Sequence, residues 1–168
     1  DGRKTVTRRV IKFPEGMTGR LSESGATDHI FYPGGIKYPL YRTGDILYVR
    51  ETWYYENHMH DLTAGEPDLP NGEYSHRYVY RASSPDYPVD KWKPSIHMPK
   101  SAARIFLKVT DVRVEKLQDM SVEQALKEGF NSAYEFNVLW DKTIKKQDLD
   151  KYGWNANPWV WVYEFERE

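Results

Sequence analysis

The first nine residues, Asp1-Gly2-Arg3-Lys4-Thr5-Val6-Thr7-Arg8-Arg9, place cations and hydroxyls within one short stretch. An amine or a hydroxyl at such a position can serve in acid–base or nucleophilic chemistry, and arginines bind phosphate or carboxylate. The stretch is rich in β-branched residues, which predicts a strand over residues 4–11. It is therefore either a solvated terminus or the edge of a site.

Glu128 is a second candidate because its position in the predicted helix is unfavourable. It stands in the last turn, just before Gly129. A carboxylate there faces the negative end of the helix dipole, at a cost of about 0.3–1 kcal/mol. Locally unfavourable residues are often found at functional sites. We expect Glu128 to face a pocket; the alternative is an exposed glutamate paired with a nearby lysine.

Two further segments combine cations with aromatic or hydroxyl groups. In YVRETW (48–53), Arg50 and Glu51 either pair with each other or leave Arg50 free for a phosphate or base edge, with Trp53 stacking on the base. The proline-stiffened stretch 93–104 is either a solvated connector or a phosphate contact, through Lys93, His97, Lys100 and Arg104.

Metal and cofactor motifs are weak or missing. His58, His60 and Asp61 have ligand chemistry at close spacing, but within a polar stretch that we interpret as an insertion. The sequence has no phosphate-binding P-loop, no dinucleotide glycine pattern and no G-x-S-x-G motif. We therefore predict neither a metal nor a cofactor.

Composition favours one domain with a real core. The 168 residues include 15% aromatics and no cysteine, which excludes a disulfide framework and thiolate zinc sites. No apolar run approaches the roughly 20 residues of a membrane span, and we expect a cytoplasmic protein without a membrane partner.

Residues 1–13 carry five cations against one carboxylate, and residues 91–116 carry seven against two, whereas residues 117–168 carry six against ten. The two basic segments are solvated surface or, if they meet, a phosphate-binding face.

The predicted elements are strands followed by two short helices and a last strand. Strands are expected at residues 43–53, 76–82, 103–117 and 158–166, with a bulge near Thr110-Asp111 where the apolar alternation changes parity. Capping boxes at Ser121 and Ser132 begin the helices. Residues 14–40 and 54–75 are predicted loop insertions, with 32–39 the clearest loop, and residues 147–157 are also predicted as loop. This order predicts an α+β fold, a small mixed β-barrel with flanking short helices.

The motifs GRKTVTRR, GDILYVRETW, WKPSIHMPKSAARIFLKVTDVRVEKL, SVEQALKEGF and NPWVWVYEFE resemble, in this order, the ASCH-domain proteins of phages and prophages. That family belongs to the PUA-like superfamily, so the resemblance implies a single PUA-like domain over residues 1–168. It also implies that a strand and a helix preceding Gly2 are missing. Of the family pattern G-x-K-x-x-E-x-R, Gly2, Lys4 and Arg9 match, and Thr7 replaces the glutamate.

Bacterial ASCH proteins that hydrolyse N(4)-acetylcytidine also have threonine at this position, and in this respect the sequence is similar to them. The resemblance carries their catalytic lysine, threonine and glutamate onto Lys4, Thr7 and Glu128. A regular strand would point Lys4 and Thr7 to opposite faces, so they converge only if the strand begins after Lys4 or bulges. A neutral Lys4, able to act as a base, would further require burial or a neighbouring cation.

Three functions follow from the resemblance. The first is recognition of a nucleic acid, RNA rather than DNA, or of a modified nucleobase or nucleotide, with nucleic-acid contacts from Arg8, Arg9, Arg50, Glu51, Trp53, Lys93, His97, Lys100 and Arg104. The second is an amidohydrolase acting on N(4)-acylated cytidine through Lys4, Thr7 and Glu128. The third is a phage assembly or host-interaction protein without catalysis. Fold analogy does not separate them, and the oligomeric state and natural ligand stay open.

Overall fold

The computed structural model describes residues 4–57 and 76–168. The chain divides into two compact units: the sheet unit, Asp1–Leu47 with Leu107–Glu168, and the hairpin unit, Tyr48–Phe106. His58, His60 and Asp61 lie outside the described residues, as does most of the predicted insertion 54–75.

The sheet unit is built on a curled, four-stranded sheet in the order β1-β8-β7-β4. Its strands are β1 (Val6–Val10), β4 (Ile46–Tyr48), β7 (Phe106–Lys116) and β8 (Trp159–Arg167). Both β1 and β7 pair antiparallel with β8. The β7 register shifts between Val109 and Asp111, which confirms the predicted bulge.

Strand register places an apolar and an ionic stripe on the same face of this sheet. Val162 of β8 lies between Arg8 of β1 and Arg113 of β7, so the three side chains share a face. The helices cover this face. The core beneath them consists of buried residues from the strands, the helices and the segments that connect them: Val6, Leu117, Met120, Ala125, Phe136, Trp140, Val160 and Val162. Arg8 is thus a charged residue within an apolar core.

Three helices follow β7: α1 (Val122–Lys127), α2 (Ala133–Thr143) and α3 (Leu149–Tyr152). The predicted capping box of α1 is confirmed, because the Ser121 hydroxyl accepts from the Gln124 N–H and the Gln124 side chain accepts from the Ser121 N–H. The second box is only half formed. Ser132 accepts from the Glu135 N–H, but the Glu135 carboxylate accepts from Asn131.

Three predicted loops contain regular structure. The Pro33-Gly34 dipeptide within the predicted loop 32–39 is the turn of a hairpin between β2 (Ile30–Tyr32) and β3 (Gly35–Lys37). Helix α3 lies in the predicted loop 147–157. The start of the predicted insertion 54–75 belongs to a strand, β5 (Trp53–Asn57). Turn-forming residues correctly indicate where the chain turns, but they do not indicate the short strands and the short helix beside the turns.

The hairpin unit contains β5 (Trp53–Asn57) and β6 (His76–Tyr80), paired antiparallel. Its core is Trp53, Met98 and Ala102, with tyrosines packed around it. Pro94 and Pro99 each precede a short 3-10 turn, at residues 95–97 and 100–102. The stiffness expected of segment 93–104 therefore comes from proline at the start of two tight turns.

The chain is a mixed α+β protein, as predicted. Within the described residues, every helix is too short and too polar to cross a bilayer.

Gly129 ends α1 with a φ of +92°, which a side chain rarely adopts. A Cβ here would lie 3.5 Å from Lys4 Cβ, an ordinary contact. We expect Gly129→Ala to lower the free energy of unfolding by about 1–2 kcal/mol, from the backbone conformation alone. Urea denaturation measures this, with the exposed Lys127→Ala as control. Equal stability of both variants would contradict the role of Gly129.

Candidate functional site

A cavity of about 340 Å³ lies in the sheet unit between β1 and α2, and we call it the β1–α2 cavity. The residues predicted as a catalytic set, Lys4, Thr7 and Glu128, all line it. The rest of the lining comes from β1, the loop after α1, and α2 with the residue that follows it: Arg8, Arg9, Val10, Phe130, Phe136, Leu139, Trp140, Thr143 and Ile144.

Lys4 and Thr7 line one cavity although they have opposite parity along the chain. Lys4 precedes strand β1, which starts at Val6, and it shares with Arg8 both its parity and its partner Glu128. The Thr5 N–H donates to the Lys127 carbonyl at 2.8 Å, and the Thr5 carbonyl accepts from the Phe165 N–H of β8 at 2.9 Å. The first of these two contacts ties the chain before β1 to the end of α1. Strand β1 is also an edge strand, so residues of both alternating sets, such as Thr7 and Arg8, border the cavity.

Glu128 is buried, with 4% of the residue exposed. Its Oε2 accepts from Lys4 Nζ at 3.0 Å and its Oε1 accepts from Arg8 Nη1 at 3.2 Å. The two cations offset both the burial of the carboxylate and its unfavourable place at the end of α1. The Lys4 side chain is half exposed.

Arg8 holds Glu128 from inside the domain. Its side chain is fully buried, and besides Glu128 its Nη2 donates to Gln124 Oε1 at 2.9 Å and to Glu115 Oε2 at 3.3 Å. Its Nε has no partner among the described residues. Of the two partners considered for this arginine, carboxylate and phosphate, the structure provides carboxylates; a phosphate contact would require exposing the side chain.

The ion pairs continue from Arg8 across the sheet. Glu115 also accepts from Arg113 Nε, and Arg113 Nη1 donates to Asp111 and Glu164, each at 2.6 Å. Burial disfavours the charged guanidinium, but these hydrogen bonds outweigh it and raise the pKa of Arg113 above its ordinary value. Arg113 therefore stays charged at any pH at which the protein folds.

Arg9 lies on the outer side of β1, beside Thr7. Its Nη1 donates to Thr7 Oγ1 at 3.0 Å and to the Arg8 carbonyl at 2.9 Å. Because Thr7 Oγ1 accepts this bond, its own hydrogen is free to be donated to a ligand or a base. Arg9 is exposed and, within the described part of the chain, forms no ion pair.

An aromatic wall closes the opposite side of the cavity. Phe136 and Trp140 of α2 are stacked, with ring centres 5.7 Å apart and planes at 29°, and Phe130 meets Phe136 edge to face. Trp140 Nε1 donates to the Tyr152 carbonyl at 2.9 Å, which fixes the indole. The apolar spacing of Phe136, Leu139, Trp140 and Ile144 was recognisable in the sequence, but only as a core face.

In the hairpin unit, Arg50 and Glu51 bind different partners. Arg50 donates to the Ile96 carbonyl at 3.1 Å and to the Tyr48 hydroxyl at 2.9 Å. Glu51 instead accepts two bonds from Arg104, at 2.8 and 2.7 Å. These bonds raise the pKa of Arg104 although burial opposes the shift, so its guanidinium is engaged with a carboxylate.

Trp53 is buried in the hairpin unit, whereas the remaining predicted contacts are exposed. Lys93 Nζ lies 4.9 Å from the Trp53 ring centre, and Tyr78 packs at 5.7 Å, so neighbours cover the indole expected to stack on a base. Three cationic or titratable side chains of this segment face solvent: Lys93, His97 and Lys100.

Replacing Arg8 tests the central ion pairs. We expect Arg8→Met to lower the free energy of unfolding by about 3–5 kcal/mol, because Glu128 and Glu115 then lack their shared cation. Arg9→Met is the matched control on the same strand, with an expected change within about 0.5 kcal/mol. Chemical denaturation measures both, and a loss in Arg8→Met no larger than in Arg9→Met would contradict the role of Arg8.

No group of three or more metal-ligating side chains occurs in residues 4–57 and 76–168.

No protein-family model, curated protein or solved structure matches the chain. Its function must therefore be inferred from the geometry of the β1–α2 cavity and from the exposed cations of the hairpin unit.

Proposed function

We propose that the sheet unit recognises a nucleobase or nucleotide, in particular a modified base, in the β1–α2 cavity. The observation that carries this proposal is the meeting of two kinds of wall in one small space. Lys4, Thr7 and Arg9 supply hydrogen-bonding groups on one side. On the other side Phe136 and Trp140, which are otherwise buried in the core, present an apolar wall to the cavity. A volume of about 340 Å³ lies at the low end for ligand sites, about 300–1,000 Å³, and suits a small ligand.

The groups that line the cavity suit a flat, polar ring. The ammonium of Lys4 and the guanidinium of Arg8 already face Glu128, whereas the exposed Arg9 lines the cavity without an ion pair in the described part of the chain. Hydrogen bonds to the base edge and contact with aromatic side chains are how proteins recognise unstacked bases. Thr7, with its hydrogen free to donate, and the remaining donors of Lys4 and Arg9 suit the carbonyl and ring-nitrogen acceptors of a pyrimidine.

The hairpin unit supplies cations for a nucleic-acid backbone. Lys93 and Lys100 are exposed cations, His97 between them in the sequence is also exposed, and Arg50 contacts only neutral protein groups in the described structure. Exposed cations of this kind bind phosphates with little sequence preference. These contacts suit any nucleic-acid backbone, and the preference for RNA, or for a modified nucleotide within it, rests on the resemblance to ASCH-domain proteins.

Binding is tested by titrating the protein with N(4)-acetylcytidine and with cytidine, followed by the fluorescence of tryptophan, since Trp140 lies in the wall. We expect saturable binding that Lys4→Gln and Thr7→Val each weaken about tenfold, because each loses a hydrogen bond to the base. Lys127→Gln is the matched control: it removes the same charge from a half-exposed lysine nearby that does not line the cavity. Lack of binding, or equal effects of Lys4→Gln and Lys127→Gln, would overturn the proposal.

A second candidate function is hydrolysis of an N(4)-acylated cytidine. The observation in its favour is that Lys4, Thr7 and Glu128 line one cavity, although Glu128 lies 124 residues after Lys4 in the sequence. Glu128 is directed at Lys4, not at bulk water. An amidohydrolase would need this convergence, and a binding protein would not.

The proposed reaction begins with attack of Thr7 Oγ1 on the acyl carbon. Lys4 takes the hydroxyl proton of Thr7 as it passes one of its own to Glu128 Oε2, 3.0 Å away. The carbon–nitrogen bond then breaks, and the proton returns through Lys4 to the exocyclic nitrogen, which leaves as the free amine. Water hydrolyses the acyl ester on Thr7, releasing the carboxylic acid and restoring the hydroxyl.

Release of acetate from N(4)-acetylcytidine tests this candidate. We expect Thr7→Val and Lys4→Ala each to abolish release, since one removes the nucleophile and the other the proton carrier. Lys127→Ala should retain wild-type activity. Release that persists in both Thr7→Val and Lys4→Ala would exclude the three-residue mechanism, whereas binding without release by the wild-type protein would leave recognition alone.

A further inference from the structure

A second cavity, of about 420 Å³, lies in the sheet unit where β1, β7 and β8 meet at one end of the sheet. We call it the Trp159 cavity. Ile11, directly after β1, donates its N–H to the Trp159 carbonyl at 2.9 Å, and Lys116 at the end of β7 pairs with Trp159. The loop of residues 13–18 and residues of α3 and the following turn complete the lining.

Lysines dominate the charge of this cavity. Lys116 and Lys151 line it, and Lys12 Nζ lies 5.6 Å from the ring centre of Tyr152, another lining residue. The carboxylate in the lining is Glu15, which is almost fully exposed and lies 3.8 Å from Lys151. Ion pairs between side chains this exposed contribute little, so the cavity retains a positive charge.

Lys116 is the cation best placed to hold a ligand. It is half-buried, its Nζ lies 4.5 Å from the Trp159 ring centre, and it donates to the Asn157 carbonyl at 3.2 Å. No carboxylate lies within ion-pair distance of it in the described part of the chain. An ammonium has three donors, so at least one hydrogen remains for a ligand.

Asn157 fixes the position of Lys116. Its backbone is left-handed, with φ 45° and ψ 57°, a conformation that asparagine tolerates better than most residues. Its Oδ1 accepts from the Gln118 N–H at 2.9 Å. The same residue thereby anchors the chain after β7 and presents its carbonyl to Lys116, so the ammonium is held in place before any ligand arrives.

We propose that the Trp159 cavity binds a phosphate group, as inorganic phosphate or as a phosphate monoester. Several lysines around a ring-lined recess supply charge and donors for a compact dianion. Two lysines, Lys12 and Lys116, belong to the two basic segments whose meeting would create a phosphate-binding face. The site is separate from the β1–α2 cavity and stands whether or not that cavity binds a base.

The test uses the full chain labelled with ¹⁵N and titrated with inorganic phosphate, with 5′-AMP, and with acetate at matched ionic strength. We expect phosphate and 5′-AMP to shift the amide signals of residues 13–18, 116 and 151–159 in a saturable way, and acetate not to. Equal affinity for the two phosphates assigns the site to the phosphate group alone. Tighter binding of 5′-AMP, with a shift of the Trp159 indole signal, assigns it to a nucleotide phosphate, and both results support the proposal.

Variants separate this site from general attraction to lysines. Lys116→Gln, which retains a donor for the Asn157 carbonyl, should weaken phosphate binding about tenfold. Lys145→Gln is the matched control, an exposed lysine of the same unit that lines neither cavity. Shifts spread evenly over exposed lysines, equal losses in the two variants, or equal binding of acetate would each overturn the proposal.

Discussion

Arg8 places a positive charge inside the core of the sheet unit, and its three partners come from two other elements, β7 and α1. Glu115 lies on β7, Gln124 on α1 and Glu128 at the end of α1. A guanidinium without exposure is tolerated only when such partners surround it. A shift of β1 by one residue would turn Arg8 to the opposite face, so this contact couples the register of β1 to the position of α1.

The candidate site is a consequence of the same contact. Arg8 draws the carboxylate of Glu128 beneath β1, and Lys4, which belongs to the same alternating set of residues as Arg8, binds the second oxygen. Gln124 both caps α1 and binds Arg8, so the start and the end of this short helix are fixed to one guanidinium. The helix cannot move relative to β1 without separating Lys4 from Glu128.

How well the sequence predicts a feature depends on how far apart along the chain the residues that determine it lie. The bulge in β7, the capping box at Ser121 and the unusual place of Glu128 depend on neighbouring residues, and the sequence predicts them. The burial of Arg8 depends on partners more than 100 residues away, so a basic stretch was interpreted as an edge or surface. Trp53 was expected to be available for stacking for the same reason, since its cover by Tyr78 arises only from strand pairing.

The two cavities border successive stretches of one strand and its continuation, yet their charges differ. In the β1–α2 cavity Glu128 faces Lys4 and shares Arg8 with Glu115, which leaves the exposed Arg9 as the lining cation without a carboxylate in the described structure. In the Trp159 cavity Lys116 binds a carbonyl and a ring face, neither of which neutralises it. A planar ligand that forms hydrogen bonds with Thr7, Lys4 and Arg9 therefore suits the first cavity, and a compact anion suits the second. The exchange of Lys4 for a neutral residue should accordingly disturb Glu128, whereas the same exchange at Lys116 leaves no carboxylate unpaired.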